Sequence, residues 1–123
     1  MHDYTVTSAI LCEFCRSELG GKTTLIGVLS GDIVVEQFPA SFPVAAYLEV
    51  RNIPEGLHSI RFRIIAGEQT MDLEAQVEVR GEYGAFPLPT MPVDLKDQAQ
   101  LQVQFSLDQE DWVTVISRRV VTL

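Results

Sequence analysis

Period-two alternation of apolar and polar residues dominates this chain. From His58, the residues Ile60, Phe62, Ile64 and Ala66 share one phase, while Ser59, Arg61 and Arg63 take the other. Such alternation is what a strand with one face on a core and one in water requires. The next run is cleaner: Met71, Leu73, Ala75, Val77 and Val79 alternate with Asp72, Glu74, Gln76, Glu78 and Arg80. Together the two predict a hairpin. A turn centred on Glu68 and Gln69 pairs Ala66 with Met71, Ile64 with Leu73, and Arg63 with Glu74, which keeps every apolar residue on one face.

A third alternating run, Leu101, Val103, Phe105 and Leu107, leads through the acidic turn "DQED" into "WVTVISRRVVTL". This is a second hairpin whose register has two solutions. An even loop turns Trp112, Thr114 and Ile116 inward; an odd loop or bulge turns Val113, Val115 and Val121 inward. The second is favoured because it keeps Arg118 off the core face. Upstream, Ala46, Leu48 and Val50 alternate with Tyr47, Glu49 and Arg51 and stop at "NIPEG", where Pro54 and Gly56 supply turn geometry. Tyr4 to Cys12, Leu25 to Leu29 and Ile33 to Val35 are further strands, and Glu13 to Leu19 is the best candidate for a turn or two of helix. The stretch 81–97, with Pro87, Pro89 and Pro92, is expected as an extended crossing between sheets, because proline cannot donate to a ladder. Seven or eight strands with turn signals between them predict an all-β, antiparallel, immunoglobulin-like or Greek-key β-sandwich.

Composition fits one domain over residues 1–123: 46% hydrophobic residues suffice for a core. A net charge of -8 argues against nucleic acid and anionic membranes, which demand a basic surface. The N-terminal apolar run, Ala9 to Cys12, is too short for a signal peptide or a membrane span, so a cytoplasmic protein with reduced cysteines is expected.

Several motifs suggest chemistry. "GGKT", Gly20 to Thr23, matches the tail of a P-loop, but Arg16 stands where its first glycine belongs and a strand follows where a helix is needed. A glycine turn, with Gly20 or Gly21 at positive φ, is the better reading. Cys12 and Cys15 form a C-x-x-C, the weak candidates for a metal site or a redox pair. Residues three apart in an extended strand point to opposite faces, although a turn after Cys12 could bring them together, and zinc would need two more ligands, whereas the only histidines are His2 and His58. The alternative is that Cys12 closes a buried strand as a small apolar residue. Asp108, Glu110 and Asp111, with Glu68 nearby, offer oxygen ligands for calcium but lack the glycine-punctuated loop. His58 lies in the inward phase, as a satisfied core histidine does, and no nucleophile elbow occurs. No cofactor and no catalytic residue is expected.

The candidate binding residues are Tyr47, Arg51, Arg61 and Arg63, on an outer face near Glu74 and Glu78, together with Trp112. Arginine and aromatic residues are the types enriched at protein contacts. A protein partner or self-association is therefore the leading expectation. The alternatives are a thiol- or metal-dependent protein using Cys12 and Cys15, and a small-ligand site between Trp112 and the proline-rich stretch.

The segments "AILCEFCRSELGGKTTLIGVLSGDIVV", "FPASFPVAAYLEV" and "EGLHSIRFRI" resemble a family of small bacterial proteins of unknown function. Its pattern is an apolar strand, "CE" or "CD", an arginine, "GGK", "LIGVY" and a "GDI" turn. Cys12, Glu13, Gly20, Gly21, Lys22, Gly27, Gly31 and Asp32 match this pattern, and Cys15 departs from it. The resemblance implies a β-sandwich and an intracellular bacterial setting, without an assigned activity.

Overall fold

The computed structural model describes residues 3–123. These form nine strands: β1 (Thr5–Glu18), β2 (Lys22–Val28), β3 (Ile33–Val35), β4 (Ala40–Arg51), β5 (Gly56–Ala66), β6 (Gln69–Val79), β7 (Tyr83–Leu95), β8 (Ala99–Leu107) and β9 (Val113–Thr122). One sheet has the order β2-β1-β4-β7 and the other β3-β9-β8-β5-β6. All pairings are antiparallel except β3 with β9. The molecule is thus all-β, with two sheets packed together and nine strands where seven or eight were expected.

The extra strand is the proline-rich stretch. Tyr83–Leu95 is no crossing loop but the edge strand β7, pairing with β4 over its whole length, with Pro87 opposite Tyr47 and Pro92 opposite Pro43. An edge strand has a free side, so a residue without an N–H is tolerated there. The register shifts between Val44 and Ala46 of β4, where β7 inserts an additional residue near Pro89 and Thr90. That irregularity lets Phe86 and Leu88 on one side of it and Val93 and Leu95 on the other all face inward.

The core lies between the sheets. Leu48, Val50 and Leu88 of the four-stranded sheet meet Phe62, Ile64, Leu101, Val103 and Phe105 of the other, all buried. Phe105 sits at the centre, wholly buried, stacked on Phe86 at 5.9 Å and in edge contact with Tyr4 at 5.7 Å. Its ring also lies 5.4 Å from that of Phe62.

Both hairpin registers depart from expectation. In β5–β6, Ala66 pairs with Gln69, Ile64 with Met71 and Arg63 with Asp72. The loop is only Gly67 and Glu68, with Gly67 at φ 58, the position a tight mirror-image turn reserves for glycine. A slip of two residues leaves every side chain on its original face, so alternation alone could not detect it. In β8–β9 a register shift falls between Val103 and Gln104, so that Val103 pairs with Ile116 and Gln104 with Thr114. A bulge is present, but it turns Ile116 and Val120 into the core and leaves Val113 exposed. Arg118 consequently falls in the inward phase, half-buried, its Nη1 donating to the Ser117 carbonyl. Residues 13–18 extend β1 instead of forming a helical turn. Gly20 and Gly21 both take positive φ, 82 and 74, as the glycine turn requires.

Candidate functional site

Strand β5 sends Arg61 and Arg63 to the outer face of the five-stranded sheet. Their cross-strand neighbours are Glu74 and Asp72 on β6 and Ser106 and Gln104 on β8. Trp112, just before β9, lies against both guanidinium groups, with the Arg61 carbon 4.5 Å and the Arg63 carbon 4.2 Å from its ring centroid. Three of the expected binding residues therefore form one surface cluster. Each guanidinium–indole contact adds attraction of about 0.5–1 kcal/mol at an exposed site.

The two arginines are held differently. Arg63 makes a two-pronged pair with Asp72, Nε to Oδ1 at 2.7 Å and Nη2 to Oδ2 at 3.1 Å. That hydrogen-bonded pairing, reinforced by the opposite charge, lowers the Asp72 carboxyl and raises the Arg63 guanidinium. Arg61 instead donates to the Ser106 hydroxyl at 2.9 Å, which donates on to the Glu110 carbonyl at 2.7 Å. Glu74, although opposite Arg61, accepts hydrogen bonds from Ser59 and Gln109. Among the described residues Arg61 has no ion-pair partner, and its Nε is buried without an acceptor. A delocalised cation is thus fixed in place by a tryptophan and a serine, and its charge also acts on Asp72.

Tyr47 and Arg51 are not part of this cluster. Both lie on β4, in the other sheet; Tyr47 is opposite Ile10 and Pro87, and Arg51 stacks on Tyr83 at 5.3 Å. Burial raises the Tyr47 phenol, with Glu49 and Cys15 adding to the shift. Glu78 joins Arg80 at 3.4 Å and is likewise apart from the arginine cluster. Trp112 is separated from the prolines, which belong to β7. An open groove of about 880 Å³ runs between the start of β1, from Tyr4 to Ala9, and residues 110–115, and Trp112 does not line it.

The turn after β8 explains how Trp112 is placed. Asp108 and Gln109 both take positive φ, 50 and 63, and the Glu110 amide closes the turn on the Leu107 carbonyl at 3.0 Å. The Asp108 carboxylate accepts from the Ser59 amide at 2.9 Å and faces His58 Nδ1 at 2.6 Å. The other ring nitrogen of His58 faces the Pro54 carbonyl at 2.6 Å. With acceptors on both nitrogens, imidazolium is the form that satisfies both, and the hydrogen bond to Asp108 raises the His58 pKa despite its burial. His58 is therefore a satisfied internal clasp between two turns. Engaged in this way, Asp108 belongs to the clasp, and Glu68 stands in the turn at the opposite end of β5, so the calcium grouping is not assembled.

Of the two arrangements open to the cysteines, the structure shows the close one. Cys12 and Cys15 have their sulfurs 3.4 Å apart, both as free thiols. Two observations accompany this. The ladder between β1 and β2 skips Glu13 and Gly27, with Gly27 at φ 69. The Glu13 carbonyl also accepts a hydrogen bond from the Thr90 hydroxyl of β7 at 3.0 Å. Among the described residues no group of three or more His, Cys, Asp or Glu side chains could hold a metal ion. His2, one of the zinc candidates, lies outside the described residues. No described helix is long and apolar enough to cross a membrane.

Fold and surface together define a small all-β protein with an arginine–tryptophan face on one sheet and a dithiol on the other. The chain belongs to a family of unknown function, DUF6941, whose profile matches residues 7–116. No curated protein matches it.

Proposed function

We propose that this protein is a non-enzymatic interaction or assembly module that engages a protein partner through the outer face of its five-stranded sheet. The observation that carries the reading is the Arg61–Trp112–Arg63 stack, in which Arg61 is held by Ser106 and forms no ion pair among the described residues. Arginine and tryptophan dominate binding hot spots because each offers a large, rigid contact surface. Here both are already ordered, so little side-chain entropy is lost on docking. A partner segment bearing a carboxylate would supply a counter-charge for Arg61, which forms no ion pair among the described residues.

The paired sheets and the sequence resemblance support an immunoglobulin-like, Greek-key form of the sandwich and a bacterial cytoplasmic setting. The test is capture by the immobilised full chain from its host lysate, run beside Trp112→Ala and Arg61→Ala variants shown to be folded. The reading expects one protein retained by the wild type and lost by both variants. A strictly monomeric protein that retains nothing, or the same proteins retained by all three, contradicts it.

A further inference from the structure

The dithiol lies in a different sheet from the arginine cluster and serves no purpose in the proposed interaction. Cys12 is wholly buried, whereas Cys15 is partly exposed. Their sulfurs are in contact at 3.4 Å, while the Cys12 thiol points to the Phe14 carbonyl at 3.4 Å and that of Cys15 to the Ala46 carbonyl at 3.3 Å. A strand that ran straight would hold these side chains on opposite faces. The bend at Glu13 and Gly27 accompanies this contact, and Gly27 can adopt it because it has no Cβ to oppose a φ of 69 or to meet the Glu13 side chain.

We infer that Cys12 and Cys15 form a redox site that closes to an intrachain disulfide by exchange with a low-molecular-weight disulfide. Cys15, the accessible thiol, attacks as thiolate on one sulfur of the small disulfide, forms a mixed disulfide and expels one small thiolate, which takes up the proton Cys15 lost. Cys12 then loses its proton and attacks the Cys15 sulfur, and the second small thiol leaves with that proton. Two protein thiols are oxidised by two electrons, and one small disulfide is reduced to two thiols. The order follows from exposure, since no small disulfide reaches Cys12 first.

The surroundings define what sort of redox site this is. Burial pushes the Cys15 thiol up to about 12, with its hydrogen bond to Cys12 adding to the shift. Relative to an ordinary cysteine, that leaves far less thiolate. Nothing here stabilises the reduced form as an anion, which is what makes some dithiols strong oxidants. The pair is therefore a slow staple that, once closed, fixes the bend of β1, and not a rapid disulfide donor. It also holds Phe14, the exposed aromatic between the two cysteines.

The test is incubation of the reduced, full chain with excess oxidised glutathione under native conditions, followed by alkylation and mass spectrometry. The expected result is that alkylatable thiols fall from two to none in a monomer lighter by two hydrogens, with closure accelerating steeply as pH rises above 8. Cys12→Ala is expected to accumulate a stable Cys15–glutathione adduct, and Cys15→Ala to take up none until denatured. Two thiols that stay free, a persistent glutathione adduct in the wild type, or cross-linked dimers would each overturn the inference. So would closure that occurs only in denaturant.

Discussion

The hairpins β5–β6 and β1–β2 are built on the same principle and end in opposite conditions. In β5–β6 the inward phase is Ile60, Phe62, Ile64 and Ala66, all buried, and the outward phase is charged and paired, with Arg63 against Asp72. In β1–β2 the far half leaves the core: Phe14, Ile26 and Val28 are about half exposed, and the ladder is interrupted at Gly27. Strict alternation thus marks where the second sheet lies beneath a strand. Where alternation fails, as in "LCEFC", the strand has bent away and its side chains are available for other chemistry.

The contrast is sharpest between two phenylalanines. Phe62→Ala should cost about 3–5 kcal/mol, because it opens a cavity beside Phe105. Phe14→Ala should stay within about 0.5 kcal/mol of wild type, as surface changes do. Urea unfolding measures both; comparable losses would dissolve the distinction between the hairpins. Gly27→Ala should come next, destabilising by about 1–3 kcal/mol, since φ 69 and the Glu13 side chain both oppose a Cβ. Gly20→Ala, with open space around it, should cost less.

A smaller effect depends on pH. His58 has its pKa raised in the folded protein above 6.5, so the clasp contributes fully below about pH 6.5 and weakens as pH rises through the folded value. The difference in melting temperature between wild type and His58→Gln should therefore shrink from pH 6 to pH 9. A difference that is constant or growing would show that the imidazolium is not the stabilising form. The smallest effect is expected for Asp72→Asn. The pair with Arg63 is on the surface, and its removal should shift the melting temperature barely above error. Its larger consequence should be mobility of Arg63 against Trp112, seen as a change in tryptophan fluorescence.

How much of this was legible in the sequence follows the same division. The faces of β5 and β8 were readable because their apolar phase is buried in the core, and that of β6 because Met71, Leu73, Val77 and Val79 turn the same way, although only Val79 is fully buried and Ala75 is exposed. Their registers were not, since Gly67 sets the turn and a two-residue slip preserves every face. Strand β7 was missed because proline argues against pairing, an argument that fails at an edge. Arg61, Arg63 and Trp112 were picked by residue type, but separating them from Tyr47 and Arg51 required knowing which strands share a sheet. The contact between Cys12 and Cys15 goes with an interruption of the β1–β2 ladder at Glu13 and Gly27, and the local pattern left open whether the two cysteines meet.

The proposal that the arginine–tryptophan face is the working surface is tested most directly by one binding comparison. Wild type and Trp112→Ala, matched in melting temperature and in oligomeric state, are used as baits for the same host lysate. A partner retained by the wild type and released at least ten-fold by Trp112→Ala, a loss of about 1.4 kcal/mol or more, is the expected result. Equal retention by both baits would place the working surface elsewhere on the molecule.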